Sequence, residues 1–375
     1  MSGRRGRRMV RGAGWGAAGL AGLVLVAVAV TAVLDAVDRR RVLPPGDLVE
    51  LADGRRLHLH VMEPADDDVS GAPERLTVVL EAGSGGFAAS MAWLHRDLAA
   101  HTTVVAYDRA GYGFSDPDDR PLDAASVADD LHEALQRRGL AGPYLLVGHS
   151  LGGGYIRVFA ARHPDEVAGL VLLDPVHEEQ LQRQPAEATE QLEQARLQLA
   201  IAPLLARLGV FRLLDVQGDI VARLPEDAGE QHRARSVTAA GMRVYGREVA
   251  VLGDLLDEIG RAESATGATA FGRLPVLVIS ATDPAEGETP TARQVMDTMH
   301  RELADRSPSA THTTIDGADH LSLITDPDHA RTVTALITGL LDISPPAMHT
   351  TRDRPTAHRR EPPRPWQSRG LHGHR

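Results

Sequence analysis

Short, nearly continuous apolar runs, spaced by helical stretches, narrow what this chain can fold into more than any other feature. Residues 57–61, 76–80, 103–107, 144–147, 170–173 and 276–279 read as strands. Most lack the polar alternation of a half-exposed strand, as expected where a sheet is covered on both faces. Helical stretches at 124–138 and 155–162 separate some of them. This βαβ rhythm predicts an α/β fold with a doubly wound, mostly parallel sheet. With 43% apolar residues the chain can bury a sizeable core, so wholesale disorder is excluded.

Between residues 175 and 271 the rhythm stops. The interval is rich in Gln, Glu, Leu, Ala and Arg at helical spacing, as at 190–208, and is too long for a loop. It predicts an inserted helical lid. After residue 343 the composition turns to Pro, Arg and His, which predicts a disordered tail over 344–375. The expected organisation is therefore a basic N-terminus and anchor over 1–41, an α/β body over 42–343, and that tail.

At the other end, Arg4, Arg5, Arg7, Arg8 and Arg11 precede an uncharged run over 12–34. Its 23 residues would rise roughly 34 Å as a helix, against a hydrocarbon core of about 30 Å. A secretory apolar segment is usually only about 7–15 residues, so a retained membrane anchor is expected rather than a cleaved export signal. The arginine excess before the run predicts a cytoplasmic N-terminus and an extracytoplasmic body. The ends carry net charges of +6 over 1–41 and +5 over 344–375, so a total of −11 leaves −22 for the stretch between. So acidic a body disfavours nucleic acid and polyanionic partners. The chain has no cysteine, which removes disulfides and thiol nucleophiles.

The chemistry concentrates in Gly148-His149-Ser150-Leu151-Gly152, which follows the 144–147 run and precedes a helix. A G-x-S-x-G between strand and helix is a nucleophile elbow: small flanking residues permit a strained turn that lifts the serine hydroxyl above the sheet. Ser150 is the expected nucleophile, and the Leu151 amide an oxyanion donor. Upstream lies Tyr107-Asp108-Arg109-Ala110-Gly111-Tyr112-Gly113-Phe114-Ser115. Together the two motifs make residues 47–341 resemble the α/β-hydrolase superfamily, whose members carry a similar motif after the fourth strand.

That resemblance implies the remaining site. His320, in the loop after a strand at 312–315, takes the place of the family's general base. The acid is Asp283, after the 276–279 strand, or else Asp174, after the preceding one; Asp283 is the expected choice. The loop Glu81-Ala82-Gly83-Ser84-Gly85-Gly86 supplies the second oxyanion donor, the Ser84 amide, although the family's usual His-Gly reads Ala82-Gly83 here. Asp108 and Arg109 are expected to form an ion pair that holds their loop, and His149 and Asp319 to support the site without reacting. The implied activity is cleavage of a small ester, thioester or amide through an acyl-enzyme, without metal or organic cofactor. A cofactor-free perhydrolase, or a membrane-tethered binding protein of the same fold, are the alternatives.

Overall fold

A computed structural model describes residues 3–64, 76–265, 271–272 and 274–341, with side chains in the first helix from residue 20 onward. The tail expected over 344–375 lies outside the described residues. The chain opens with helix α1 (Gly3–Arg41), followed by the strand pair β1 (Asp47–Glu50) and β2 (Arg56–Met62). Then come β3 (Thr77–Glu81), α2 (Ala92–Ala99), β4 (Val104–Tyr107), α3 (Ala124–Arg137), β5 (Tyr144–His149), α4 (Leu151–Arg162) and β6 (Val167–Leu173).

An insertion separates β6 from the last two strands. It carries α5 (Gln180–Arg183), α6 (Ala186–Arg207), α7 (Val210–Leu213), α8 (Gly218–Arg223), α9 (Glu226–Arg235), α10 (Ala239–Ala250) and α11 (Leu252–Ser264). The fold closes with β7 (Val276–Ala281), α12 (Pro290–Ala304), β8 (Ala310–Ile315), α13 (Ser322–Thr325) and α14 (Pro327–Leu341).

The eight strands form one sheet in the order β1-β2-β4-β3-β5-β6-β7-β8. Only β1–β2 and β2–β4 are antiparallel. This is the mostly parallel α/β sheet that the apolar runs predict, and each predicted strand is present. The addition is β1, whose four residues are largely exposed and carry no apolar run to mark them.

Two hydrophobic clusters cover the faces. Val79, Leu146, Leu172 and Val278 point toward α3, α4 and α11, whereas Val78, Leu145, Val147, Leu173 and Ile279 point toward α2 and α14. Successive residues of one strand thus enter opposite cores, which is why the runs are continuous rather than alternating. The same arrangement collects the parallel strands' carboxyl ends at one edge, where β3, β5, β6, β7 and β8 each release a loop.

Candidate active site

Between β5 and α4 the chain reverses within one residue. Ser150 sits at φ +56° and ψ −125°, outside the regions a side chain prefers. Three backbone bonds hold it there. Its N–H donates to the Leu173 carbonyl at 2.9 Å, and its own carbonyl accepts from the amides of Gly153 at 3.0 Å and Val176 at 3.2 Å. The glycines of the motif are there for want of room. A Cβ at Gly148 would stand 2.6 Å from the Gly152 carbonyl oxygen, and one at Gly152 would stand 2.4 Å from that of Glu81. Leu151 is the first residue of α4, so its amide is among those left free of intrahelical bonds at the positive end of the helix dipole.

A second strained turn follows β6. Asp174 has φ +41°, is 3% exposed, and donates its amide to the Ile279 carbonyl at 2.7 Å. Its Oδ2 accepts from Nδ1 of His320 at 2.6 Å and from Arg293 at 2.8 Å, while Oδ1 takes the Ala281 amide at 3.2 Å. Burial alone would raise this carboxyl's pKa. The hydrogen bond from His320, with the charges around it, outweighs burial and holds it well below the ordinary carboxylate range. Because the ionised carboxylate accepts the Nδ1 proton, a neutral His320 carries its lone pair on Nε2.

His320 is steadied from a second side. Nε2 of His149 donates to the His320 carbonyl at 2.7 Å, and the two rings lie 4.5 Å apart. Burial, then the proximity of His320, pushes His149 down to about 3, so it stays neutral near pH 7. Asp319 turns its carboxylate to the amides of Leu321 and Ser322, each at 2.9 Å, and so shapes the loop ahead of α13. Ser150, Asp174 and His320 line one cavity of about 260 Å³, together with Gln180, Gln184 and Arg293.

Asp283 does not join them. Its amide donates to the Ala318 carbonyl at 2.9 Å, and its exposed carboxylate meets the hydroxyl of Thr282 at 3.2 Å. The expectation that Asp283 partners His320 is therefore corrected: Asp174 holds that position. The reason is local. The Ala281 amide, at the end of β7, is bound by Asp174, and the chain beyond it turns outward with Asp283 on the solvent side.

A family model described as the alpha/beta hydrolase fold matches residues 78–327. The chain belongs to the α/β-hydrolase family. A thermophilic esterase from Thermogutta terrifontis superposes with a TM-score of 0.54 at 20% identity, over 79% of this chain and 98% of that one, a likeness of fold. An uncharacterised protein of Schizosaccharomyces pombe is 47% identical over 77 residues, 20% of this chain and 14% of that protein. An uncharacterised vacuolar membrane protein of Saccharomyces cerevisiae is 43% identical over 76 residues, 20% of this chain and 12% of its own length. This α/β-hydrolase thus spans only a small part of either relative's length.

Beneath the loop after β3, the α/β-hydrolase carries a buried polar cluster that its sequence does not advertise. Arg109 donates to Glu81 at 2.7 Å and Glu248 at 3.1 Å, and to the carbonyls of Ala82 at 2.5 Å and Gly83 at 2.8 Å. Glu248, on α10 of the insertion, also accepts from the hydroxyls of Ser84 and Tyr112, both at 2.6 Å. In a trans peptide the N–H points opposite to the C=O. Turning the Ala82 and Gly83 carbonyls toward Arg109 therefore aims the Gly83 and Ser84 amides away from it. Gly83 also packs on the elbow, where a Cβ would stand 2.9 Å from that of Ser150.

The expected Asp108–Arg109 ion pair is corrected by the same contacts. Asp108 instead binds His58 at 2.9 Å and the amides of Ala88 at 2.9 Å and Phe114 at 2.8 Å. Glu81 had one legible signal, a charge closing an apolar strand; Glu248 and Arg293 had none. Among the described residues, His132, His163 and Glu166 could hold a metal ion, their ligand atoms lying within 4.8 Å of one another. His163 caps the end of α4 remote from Ser150, a dozen residues and so roughly 18 Å away.

Proposed function

We propose that this α/β-hydrolase is a serine hydrolase that cleaves an ester, or a related thioester or amide, through Ser150, His320 and Asp174. The observation that carries the reading is the 2.6 Å bond from His320 Nδ1 to buried Asp174, at a cavity that Ser150 also lines. Asp174 fixes the tautomer that leaves Nε2 basic, and its charge stabilises the imidazolium once a proton arrives. Ser150 Oγ attacks the acyl carbon as its proton passes to Nε2. The carbonyl oxygen becomes an oxyanion facing the Leu151 and Ser84 amides, which preorganised donors stabilise more than they do the ground state. Collapse expels the leaving group, which takes the proton from His320. Water, activated by the same base, then releases the acid from the acyl-enzyme.

In this reading the insertion is a lid, and α1 anchors the enzyme. Its Leu20–Arg41 portion has a mean hydropathy of 2.5 in its apolar window, of which 6% is buried. The body lies outside the cytoplasm, following the arginine bias of the N-terminus. A series of p-nitrophenyl esters of graded acyl length, assayed on the full chain and on Ser150→Ala, tests the chemistry. The variant should stay folded and lose on the order of 10⁶ in kcat, as when a triad nucleophile is removed. Wild-type turnover by Ser150→Ala would end the proposal.

A further inference from the structure

We infer that the α6–α7 corner of the insertion is a membrane-embedded surface, seated in the same leaflet from which α1 emerges. The inference rests on α1 being the membrane anchor proposed above. It starts from a stripe of α1 itself. Thr31, Asp35 and Asp38 are spaced i, i+4 and i+7, so they share one face of the helix. All three meet the insertion. Thr31 is buried in a helix otherwise largely bare, and a Cβ at Gly209 would stand 2.6 Å from its hydroxyl oxygen. Asp35 and Asp38 both bind Arg212 of α7, each at 2.7 Å.

These contacts set a depth. Thr31 lies three residues inside the uncharged run that ends at Leu34, about 4.5 Å along the helix axis. Gly209, between α6 and α7, is therefore held at the level where the hydrocarbon layer meets the headgroups. The side chains around it suit that level. Leu204 is 59% exposed, Leu213 84%, Leu214 66% and Val216 48%. Leu197 and Ile201 extend the patch along α6, at i, i+4 and i+7 spacing with Leu204.

So many exposed large apolar side chains on the two helices flanking Gly209 mark an interaction site. Here the continuity with α1 selects lipid as the occupant. The charges nearby are compatible with it. Arg212 is turned inward onto α1, Asp215 is paired with Arg233 at 2.8 Å, and the long side chain of Arg207 can reach the headgroups. Amphipathic helices bury their apolar face about 5–10 Å into this boundary layer. Seated so, the insertion that contributes Gln180 and Gln184 to the cavity would border the bilayer, and an ester dissolved in that bilayer is the substrate class such a placement serves.

The chain's lack of cysteine makes the test clean. Leu213→Cys, Leu204→Cys, Val26→Cys and Arg331→Cys are made singly in the full-length protein, labelled with an environment-sensitive fluorophore and reconstituted in phosphatidylcholine vesicles. Val26 reports on α1, and Arg331 on the solvent-facing side of α14. The inference expects the labels at Leu213 and Leu204 to lose most of their emission to a lipid carrying a doxyl group near its glycerol end, and the label at Val26, about 12 Å along the helix from Leu34, to a lipid carrying it near mid-chain. Only the Arg331 label should be quenched by aqueous iodide. If Val26 answers to lipid while Leu213 and Leu204 answer to iodide, the anchor stands and the inference is overturned. Labels at Leu213 and Leu204 shielded from both quenchers would also overturn it, since another protein surface, such as a second copy, would then cover the corner. If Val26 itself answers to iodide, the anchor falls and the inference with it.

Discussion

Two loops at the carboxyl edge of the sheet each carry an aspartate close to His320 in the chain's logic, yet they are built in opposite ways. The turn after β6 is overdetermined: Asp174 is buried, at positive φ, with His320, Arg293 and the Ala281 amide on its carboxylate. The turn after β7 leaves Asp283 in solvent with a neighbouring hydroxyl. The difference teaches that a position along the strand order does not decide which aspartate partners the histidine. What decides it is the set of groups that keep a carboxylate ionised away from water. Strain concentrates in the same way, since Ser150 and Asp174 are two of the three non-glycine residues at positive φ among those described.

The contrast breaks most visibly through substitution. Asp174→Asn should fold, yet lose roughly 10⁴ in kcat with KM little changed, because the amide favours the wrong tautomer of His320. Equal activity of variant and wild type in the same ester assay would remove Asp174 from the mechanism. Next in size, Arg293→Ala takes one partner from a buried carboxylate and should destabilise the fold by about 3–5 kcal/mol, read as a shift in the urea midpoint.

Smaller still is a pH effect whose sign follows from the depressed pKa of Asp174. The folded chain holds this proton less tightly than the unfolded one, whose carboxyl titrates near 3.9. The stabilisation is therefore complete above that value and declines as pH falls toward the folded pKa, by at most about 1.4 kcal/mol per pH unit. Urea midpoints of Asp174→Asn should lack this component between roughly pH 4 and pH 2. The smallest effect belongs to Asp283→Asn, which should keep wild-type kcat and stay within about 0.5 kcal/mol of wild-type stability.

The body and the insertion differ in how far sequence alone reaches. Strands such as β5 and β6 are legible because both faces are buried, which forces an apolar residue at nearly every position. The elbow is legible because backbone crowding demands glycine at 148 and 152. The partner of His320 was not, because both candidate aspartates follow apolar strands, and only tertiary packing brings Arg293 and the Ala281 amide to Asp174. The contribution of Glu248 was equally hidden: a glutamate on a helix ordinarily faces water, and only tertiary packing brings it against Arg109 and Ser84. Helical spacing announced the insertion, but not the exposed leucines around Gly209, because the same residues could line a core.

The most direct test of the central claim reads the nucleophile itself. A fluorophosphonate probe reacts with a serine only when its hydroxyl is activated, so its labelling rate reports on the proposed Ser150–His320–Asp174 triad without any choice of ester. Wild type and Asp283→Asn should label Ser150 at the same rate, Asp174→Asn should label it slowest of the three by orders of magnitude, and Ser150→Ala should not label. Slow labelling of Asp283→Asn beside fast labelling of Asp174→Asn would contradict the assignment of Asp174 as the acid.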